Sequence, residues 1–456
     1  MVLFSYLNAI IIAGLIGLLL FALILRFRRK ALGLFLLVAP FNYFYVIVFG
    51  WRVSWVESGG VPEGAPVFIK YAKDVFFLMI VLASLIYLFL RRDKWAQSGQ
   101  WLDWLVTGFL LYQVAMTAPA VFRIGAMPAM IALWQNCGYG VIYFLLRPIL
   151  SNCDLKTMRR FVTFLLLMGG IVAGIGIAQF FSGINTFQYV SGEYKGLNRA
   201  ISTLGNPSNL GLYLAFMMIM LLSVGVYSHR FLLTVAFCLM AVCLILTVSM
   251  TALFITVVSV VLILALRRKR SMLLFAGVLG TAVFCCIWLS PGIRARLLTA
   301  MSGQDEAWIL RLENWENLWP SNNYALLFGS GTGTDGSMTV SFYDQGGLAD
   351  NQYLATLMQY GSLGLSLYLG IILLGSFRGL YMGIPNHRKA FSFGTLRLAG
   401  GLVVIGCALA GVTANVMNVF PINLYFWSSL ALIASTNTVK VRTSDSESQR
   451  ISAQIG

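Results

Sequence analysis

FVTFLLLMGGIVAGIGIAQFF (161–181) contains no charged side chain. At 1.5 Å of rise per residue, a helix of that length crosses the roughly 30 Å hydrocarbon core of a bilayer. Working outward from it, runs of the same kind fall near 5–25, 31–50, 72–90, 102–119, 127–146, 208–227, 231–248, 250–266, 272–290, 352–376, 397–415 and 422–436. The thirteen runs predict an all-α polytopic membrane protein. The last run is short, and 248–250 leaves almost no loop between two spans. Composition agrees: hydrophobic residues make up 59% of the 456, and charged residues only 11%. A soluble domain carries about 25% charged residues, so this chain cannot cover a water-facing globule of its size. No tandem repeat or low-complexity tract interrupts the pattern. The expected organisation is helices 1–10 over 1–290, one large outward loop over 291–351, further helices over 352–436, and a polar, disordered cytoplasmic tail over 437–456.

Basic residues orient the spans, because Lys and Arg near span ends stay cytoplasmic. RFRRK (26–30), RRDK (91–94), Arg147 to Arg160, Arg230, RRKR (267–270), Arg378 to Arg397 and the tail hold 23 of the 32 Lys+Arg. The opposite side holds Arg52, Lys70, Lys73, Arg123, Lys195, Arg199, Arg294, Arg296 and Arg311. Of the 16 acids, only Asp93, Asp103, Asp154, Asp445 and Glu447 join the basic side, so that side is +18 and the other −2. The net +16 is therefore a topology signal, not a sign of nucleic-acid binding. It puts the N-terminus and the long loop outside, and the tail inside. In the first apolar run the charges follow rather than precede the run, which predicts a retained anchor instead of a cleaved signal peptide. The seven cysteines show no CxxC spacing, so free thiols and no metal site are expected.

Three outward segments are long: 51–70, 182–206 and 291–351. In the last, DEAWILRLENWENLW (305–319) reads as an amphipathic interfacial helix. Trp308, Leu312, Trp315, Leu318 and Trp319 form its apolar stripe, with Glu306, Glu313 and Asn317 opposite. Arg311 lies roughly 60° from Trp308, on the edge of the stripe. It is thus expected to point toward the membrane domain and to need an anionic partner.

GLNRAISTLGNPSNLG (196–211) opens another span from outside. Pro207 suits a first helical turn and Asn206 can cap it. The positive dipole end, just after Arg199, reads equally as an ordinary cap or as a phosphate-like anion site. GSGTGTDG (329–336) allows a tight backbone passage but is weak evidence for phosphate binding. Asp350 and Asn351 stand where the next span begins. Asp350 reads either as that helix's N-cap or as an acid able to take a proton from a hydroxyl. Lys73 and Asp74 begin the third span too late for a full crossing, so they sit at the rim or slightly inside it. Asn415 and Asn418 share that outward level.

Absences narrow the chemistry. His229 and His387 both fall in predicted inner loops. No acid sits near the middle of a span, as ion-coupled transport usually requires. No inner loop is large enough for a nucleotide-binding domain.

RAISTLGNPSNLGLYLA (199–215), RLENWENLW (311–319), LLFGSGTGT (326–334) and DNQYLATLMQYGSLGLSLYL (350–369) occur in this order around the long loop. Together they resemble the O-antigen ligase/O-antigen polymerase superfamily of bacterial envelope proteins. Two positions depart from that pattern. Ligases of the family carry a histidine where Asp350 stands, and the span opened here by SMT (249–251) often begins Ser-Arg. The resemblance implies a GT-C-like architecture in the bacterial inner membrane, with a periplasmic active site. It implies a metal-independent, inverting glycosyl transfer without cofactor. The donor is an undecaprenyl-pyrophosphate-linked oligosaccharide. A polymerase passes the glycan to a second lipid-linked glycan. A ligase passes it to a lipid A-core or protein acceptor. Membrane lipids surround the enzyme, and a chain-length regulator or export protein is a further expected partner. Arg199 and Arg311 would neutralise the pyrophosphate and Asp350 would serve the acceptor hydroxyl. Lys73, Asp74, Arg123, Arg294, Arg296, Asn206 and Asn351 are substrate-binding candidates. A flippase of lipid-linked glycans is the alternative from another class.

The orientation is open to a direct check. Alkaline phosphatase fused within 291–351 should be active, and fused at 267–270 inactive. The reverse pattern would invert the whole assignment.

Overall fold

The computed structural model describes residues 21–41 and 67–91, 100–182, 193–224 and 230–267, isolated positions between 277 and 302, and 306–334, 350–383 and 391–435, each with a few gaps. The expected spans 5–25 and 272–290 lie largely outside the described residues, as do the second half of 31–50, the tail, and the candidate Arg296.

In chain order the helices are α1 (Val67–Arg91), α2 (Trp101–Ala115), α3 (Thr117–Ile124), α4 (Ala126–Cys137), α5 (Ile142–Ser151), α6 (Leu155–Ser182), α7 (Pro207–Val224), α8 (Arg230–Leu246), α9 (Met250–Arg267), α10 (Glu306–Leu318), α11 (Asn323–Phe328), α12 (Gln352–Gly383), α13 (Phe393–Ala410) and α14 (Ile422–Ala434). The strands are one antiparallel two-residue ladder, β1 (Glu193–Tyr194) with β2 (Leu197–Asn198). Among the described residues six stretches are long and apolar enough to cross a membrane: Trp101–Ile124, Ala126–Ser151, α6, α7, α12 and α13. The chain is therefore an all-α multi-pass membrane protein, as its apolar runs predict. Phe231–Leu246, Met250–Leu266 and Ile422–Ala434 are shorter apolar helices.

Among the six long spans the most enclosed is α7, whose residues from Leu210 to Ile219 are all buried. It packs against α8, α9 and α13. Between α12 and α13 the backbones touch. A Cβ on Gly379 would lie 2.5 Å from the Cα of Gly401. Small residues at such crossings supply close van der Waals packing, which matters because lipid offers helices no hydrophobic drive to associate.

Helix ends assigned to one face by their charges meet one another. On the basic face Arg147 pairs with Asp103 at 2.7 Å. The same carboxylate accepts the Tyr143 hydroxyl at 2.6 Å and, through its other oxygen, the Gln100 amide at 2.9 Å. Arg397 donates there to the Ser435 carbonyl. On the opposite face Thr251 and Thr413 share a hydroxyl hydrogen bond of 2.8 Å, and the Gln352 amide donates to the Gly411 carbonyl at 2.7 Å.

Three span assignments change. The described residues of RFRRK (26–30) are helical and continue into residues 31–38, so the cluster is not a loop between two spans. The run 127–146 is divided by a 3-10 turn, Gly138–Val141. The run 352–376 is not one straight span. Gly361 has φ 63 and ψ −170, a region essentially restricted to glycine. On a straight helix Tyr353 and Tyr368 would be about 22 Å apart along the axis, yet their ring centroids are 6.2 Å apart. The short arm 352–360 therefore folds back alongside the long arm after Gly361.

This break exposes carbonyls that lipid could not satisfy. The glycine-rich loop satisfies them. Ser330 donates to the Met358 carbonyl at 2.7 Å, and Gly331 to that of Gln359 at 3.0 Å. A Cβ on Gly361 would lie 2.3 Å from the Leu327 carbonyl oxygen. Gly361→Ala should therefore carry both backbone strain of roughly 1–3 kcal/mol and a clash. The expected result is a clear fall in the melting temperature of the purified protein, with Gly370→Ala, whose nearest neighbour would stand at 3.5 Å, as the tolerant control.

Candidate functional site

At the face opposite the basic one, the ends of α7, α8, α9, α12 and α13 meet through polar contacts and form a polar mouth. The turn Thr247–Ser249 between α8 and α9 belongs to it. Val248 there has φ 51, and Ser202, whose hydroxyl donates to the Val172 carbonyl, has φ 54. A β-branched residue at positive φ is a true outlier, and such strain collects at functional sites. Arg199 docks on this turn: its Nε donates to the Thr247 carbonyl at 2.8 Å, and the Ala200 amide to Leu246 at 2.9 Å. With Nε committed, an anion at Arg199 would be held by the terminal guanidinium nitrogens.

The start of α7 takes the ordinary reading. Asn206 Oδ1 accepts from the amides of Ser208 (2.8 Å) and Asn209 (3.4 Å), and Leu210 donates to the Asn206 carbonyl. The first-turn donors are thus used inside the protein, not held out for a phosphate.

At the start of α12 the cap is Asn351, not Asp350. Asn351 Oδ1 accepts from Tyr353 (2.9 Å) and Leu354 (3.1 Å). The expectation that Asp350 caps the helix is corrected, because the neighbouring amide oxygen already holds both donors. Asp350 is half-buried just before the arm. Burial pushes its carboxyl above the ordinary value, and the nearby Arg311 guanidinium pulls it partly back. These two residues stand 39 apart in sequence and come from different elements of the long loop.

Arg311 lies in α10 with its side chain partly buried, as are Trp308, Trp315 and Leu318. Trp308 and Trp315 meet edge to face at 5.4 Å. Leu312 is 45% exposed and Trp319 61%. The inward face of α10 is therefore rotated from the expected stripe: Leu312 leaves it and Arg311 joins it. There Arg311 comes near enough to Asp350 to influence its charge.

The glycine-rich run is a docking element. From Gly329 to Thr334 every amide donates within the protein. The acceptors are the carbonyls of Ala325, Met358, Gln359, Met116 and Gly331, and the Gln359 side chain. No amide of this run remains for a phosphate. Gln359 also accepts from Asn136 at 3.1 Å, and Thr332 donates to the Gln113 carbonyl at 3.0 Å. Sequence reading missed this buried network; the Gly-x-Gly spacing was its one visible trace.

Lys73 and Asp74 lie two turns inside α1, as its length requires. Asp74 accepts from Lys73 (3.0 Å), Trp134 Nε1 (2.9 Å) and the Tyr139 hydroxyl (2.6 Å). Lys73 Nζ stands 5.4 Å from the Phe420 ring centroid. Two residues before Phe420, both amide atoms of Asn418 are buried without a protein partner. The pair thus faces the 415–420 segment, as its outward level suggests, and Asp74 ties α1 to α4. Arg123 is exposed in the last turn of α3, one turn beyond Ala120, against which Gly331 packs. Arg294 is exposed and stacks over Trp288 at 5.7 Å. Neither is drawn against Asp350 by any described contact.

A polytopic helical membrane protein with a polar mouth at its acid-rich face is the class that fold and site define. Residues 235–369 match the family model described as O-antigen ligase. That match, over less than a third of the chain, supports the resemblance to the O-antigen ligase/polymerase superfamily. The matched segment holds Arg311, the glycine loop and Asp350; Arg199 and Lys73 precede it. No curated protein matches the chain.

The two acids should separate by their variants. Asp74→Ala strips three donors of their acceptor and should lower the melting temperature by about 5 °C or more. Asp350→Ala removes a desolvated carboxylate and should leave it equal or higher. Equal losses for both would deny Asp350 a role distinct from structure.

Proposed function

We propose that this protein is a polysaccharide polymerase of the bacterial inner membrane. It moves a glycan from undecaprenyl pyrophosphate to a hydroxyl of a second lipid-linked glycan on the periplasmic face. The observation that carries the reading is a half-buried Asp350 under the electrostatic influence of Arg311, in a chain whose residues 235–369 match the family described as O-antigen ligase. The acceptor oxygen attacks the anomeric carbon from the face opposite the leaving group. The bond to the pyrophosphate breaks, the carrier leaves with the electron pair, and Asp350 takes the hydroxyl proton. Arg311 and Arg199 stabilise the charge that develops on the leaving pyrophosphate. Asn351 and Asn206, as caps, hold Asp350 and Arg199 in place. Lys73, Arg123, Arg294 and Arg296 are second-tier contacts for the glycan or carrier, and the 291–351 loop acts as a lid.

An aspartate where ligases of the family carry histidine favours polymerase. The description of the matching family, O-antigen ligase, keeps ligation as the second reading. Gel analysis of a deletion strain separates them. Polymerase loss leaves single repeat units attached, whereas ligase loss leaves the acceptor bare.

Arg199→Ala and Arg311→Ala should each abolish long glycan chains while the protein stays in the membrane. Normal chains from both would sink the reading. The pH profile gives a second check. Asp350 must be deprotonated to act as base, and burial raises its pKa. Activity should therefore fade on acidification at a pH above that of an ordinary aspartate. Loss of Arg311 removes the influence that lowers this pKa, so residual Arg311→Ala activity should fade at still higher pH.

A further inference from the structure

A cavity of about 1060 Å³ opens far from the polar mouth, at the basic end of the bundle. It lies between the helical residues 23–37 and the facing sides of α5, α6, α7, α13 and α14. Its walls are apolar, from Leu36 and Phe161 to Phe216 and Leu432. Leu23, Phe27 and Leu34, all exposed, flank its opening. Its charged lining residues are all at one end, where Arg29, Lys30 and Asp154 stand with Asn152 and Thr157; elsewhere only Tyr425, Ser428 and Ser429 bring hydroxyls to the wall. The volume is at the upper limit of ordinary small-molecule sites, roughly 300–1,000 Å³. Charged groups confined to one end suit an amphiphile, not a compact polar solute.

The charge of that end selects among amphiphiles. Two cations stand against one carboxylate. That carboxylate is already engaged, since Asp154 accepts the Thr157 amide at 3.0 Å as the cap of α6. Arg29 and Lys30 are exposed at the rim. Lys156, Arg159 and Arg160 follow in the first turns of α6 and add to the positive field. The apolar wall runs inward past Phe216 to Phe76 and Tyr425, so an occupant's chains would extend into the bundle.

We infer that this cavity binds an anionic phospholipid of the cytoplasmic leaflet, with its acyl chains on the apolar wall and its phosphate at Arg29 and Lys30. The inference uses the orientation given by the basic residues and does not depend on the transfer reaction. The polyprenyl donor is a poor fit, because its pyrophosphate belongs at the opposite, acid-rich face. The lipid would fasten residues 23–37 to the rest of the bundle, where few polar contacts do so: Thr203 to the Pro40 carbonyl and Tyr425 to that of Leu36.

The test is native mass spectrometry and thermal melting of the full-length protein in detergent, titrated with phosphatidylglycerol or phosphatidylethanolamine of matched chains. Phosphatidylglycerol should bind about 10- to 30-fold more tightly and raise the melting temperature. Arg29→Gln with Lys30→Gln should erase the preference; both positions are exposed, so the variant should melt normally without lipid. Ala31→Trp, which fills the cavity, should block binding of either lipid. Equal binding of the two lipids, no retained lipid, or an unchanged preference in the double variant would overturn the proposal. So would displacement by undecaprenyl phosphate at equal concentration, which would make the cavity a carrier site. Loss of glycan polymerisation in the Arg199 or Arg311 variants bears only on the transfer reaction and leaves this result untouched.

Discussion

The need to satisfy every backbone amide and carbonyl away from water governs this structure. An unbroken helix meets that need by itself, but α12 is broken at Gly361. The protein repairs the break with the glycine loop of residues 329–334, whose amides cap the carbonyls of Met358, Gln359 and Met116. The loop must come within backbone contact of α12 and α3, and only glycine permits that at 329, 331 and 361. Once it is docked, the preceding helix α11 is held against α12 as well. The returning arm 352–360 sets Asn351 and Asp350 against the outward end of α13.

The same economy of contacts shapes the mouth. The strained turn at Val248 offers the Leu246 and Thr247 carbonyls to Ala200 and Arg199. Thr251 and Thr413 then join α9 to the segment after α13. Arg199 and Asp350 thus stand on one run of neighbouring helix ends, although 151 residues separate them. Asp350 is kept from capping by its neighbour Asn351, which leaves the carboxylate under the influence of Arg311. A half-buried acid beside an arginine costs folding free energy, and proteins usually keep such pairs at sites of function.

Most of the apolar runs and the helix within 305–319 were legible, because each rests on local hydrophobicity and charge; RFRRK, expected as a loop, is helical in its described residues. The ordered motifs from Arg199 to Gly364 were legible as a resemblance. The caps at Asn206 and Asn351 follow from residue type, although the second could not be told from a cap by Asp350. The Arg311 face was only half legible. Helical angles put it at the edge of the stripe, and Asp350, the acid it comes near, lies in another element.

The sequence by itself determined that this is a multi-pass helical membrane protein, which way its basic ends gather, and which arginines and acid stand at the acid-rich face. Those properties depend on composition and period, and lipid leaves few alternatives. Only the tertiary structure decided that 352–376 folds back at Gly361, that the glycine loop 329–334 serves as a dock and not a phosphate cradle, and that Arg311 comes near Asp350. Each of these depends on backbone groups and side chains far apart in the chain finding partners, and no local pattern records which partner is found.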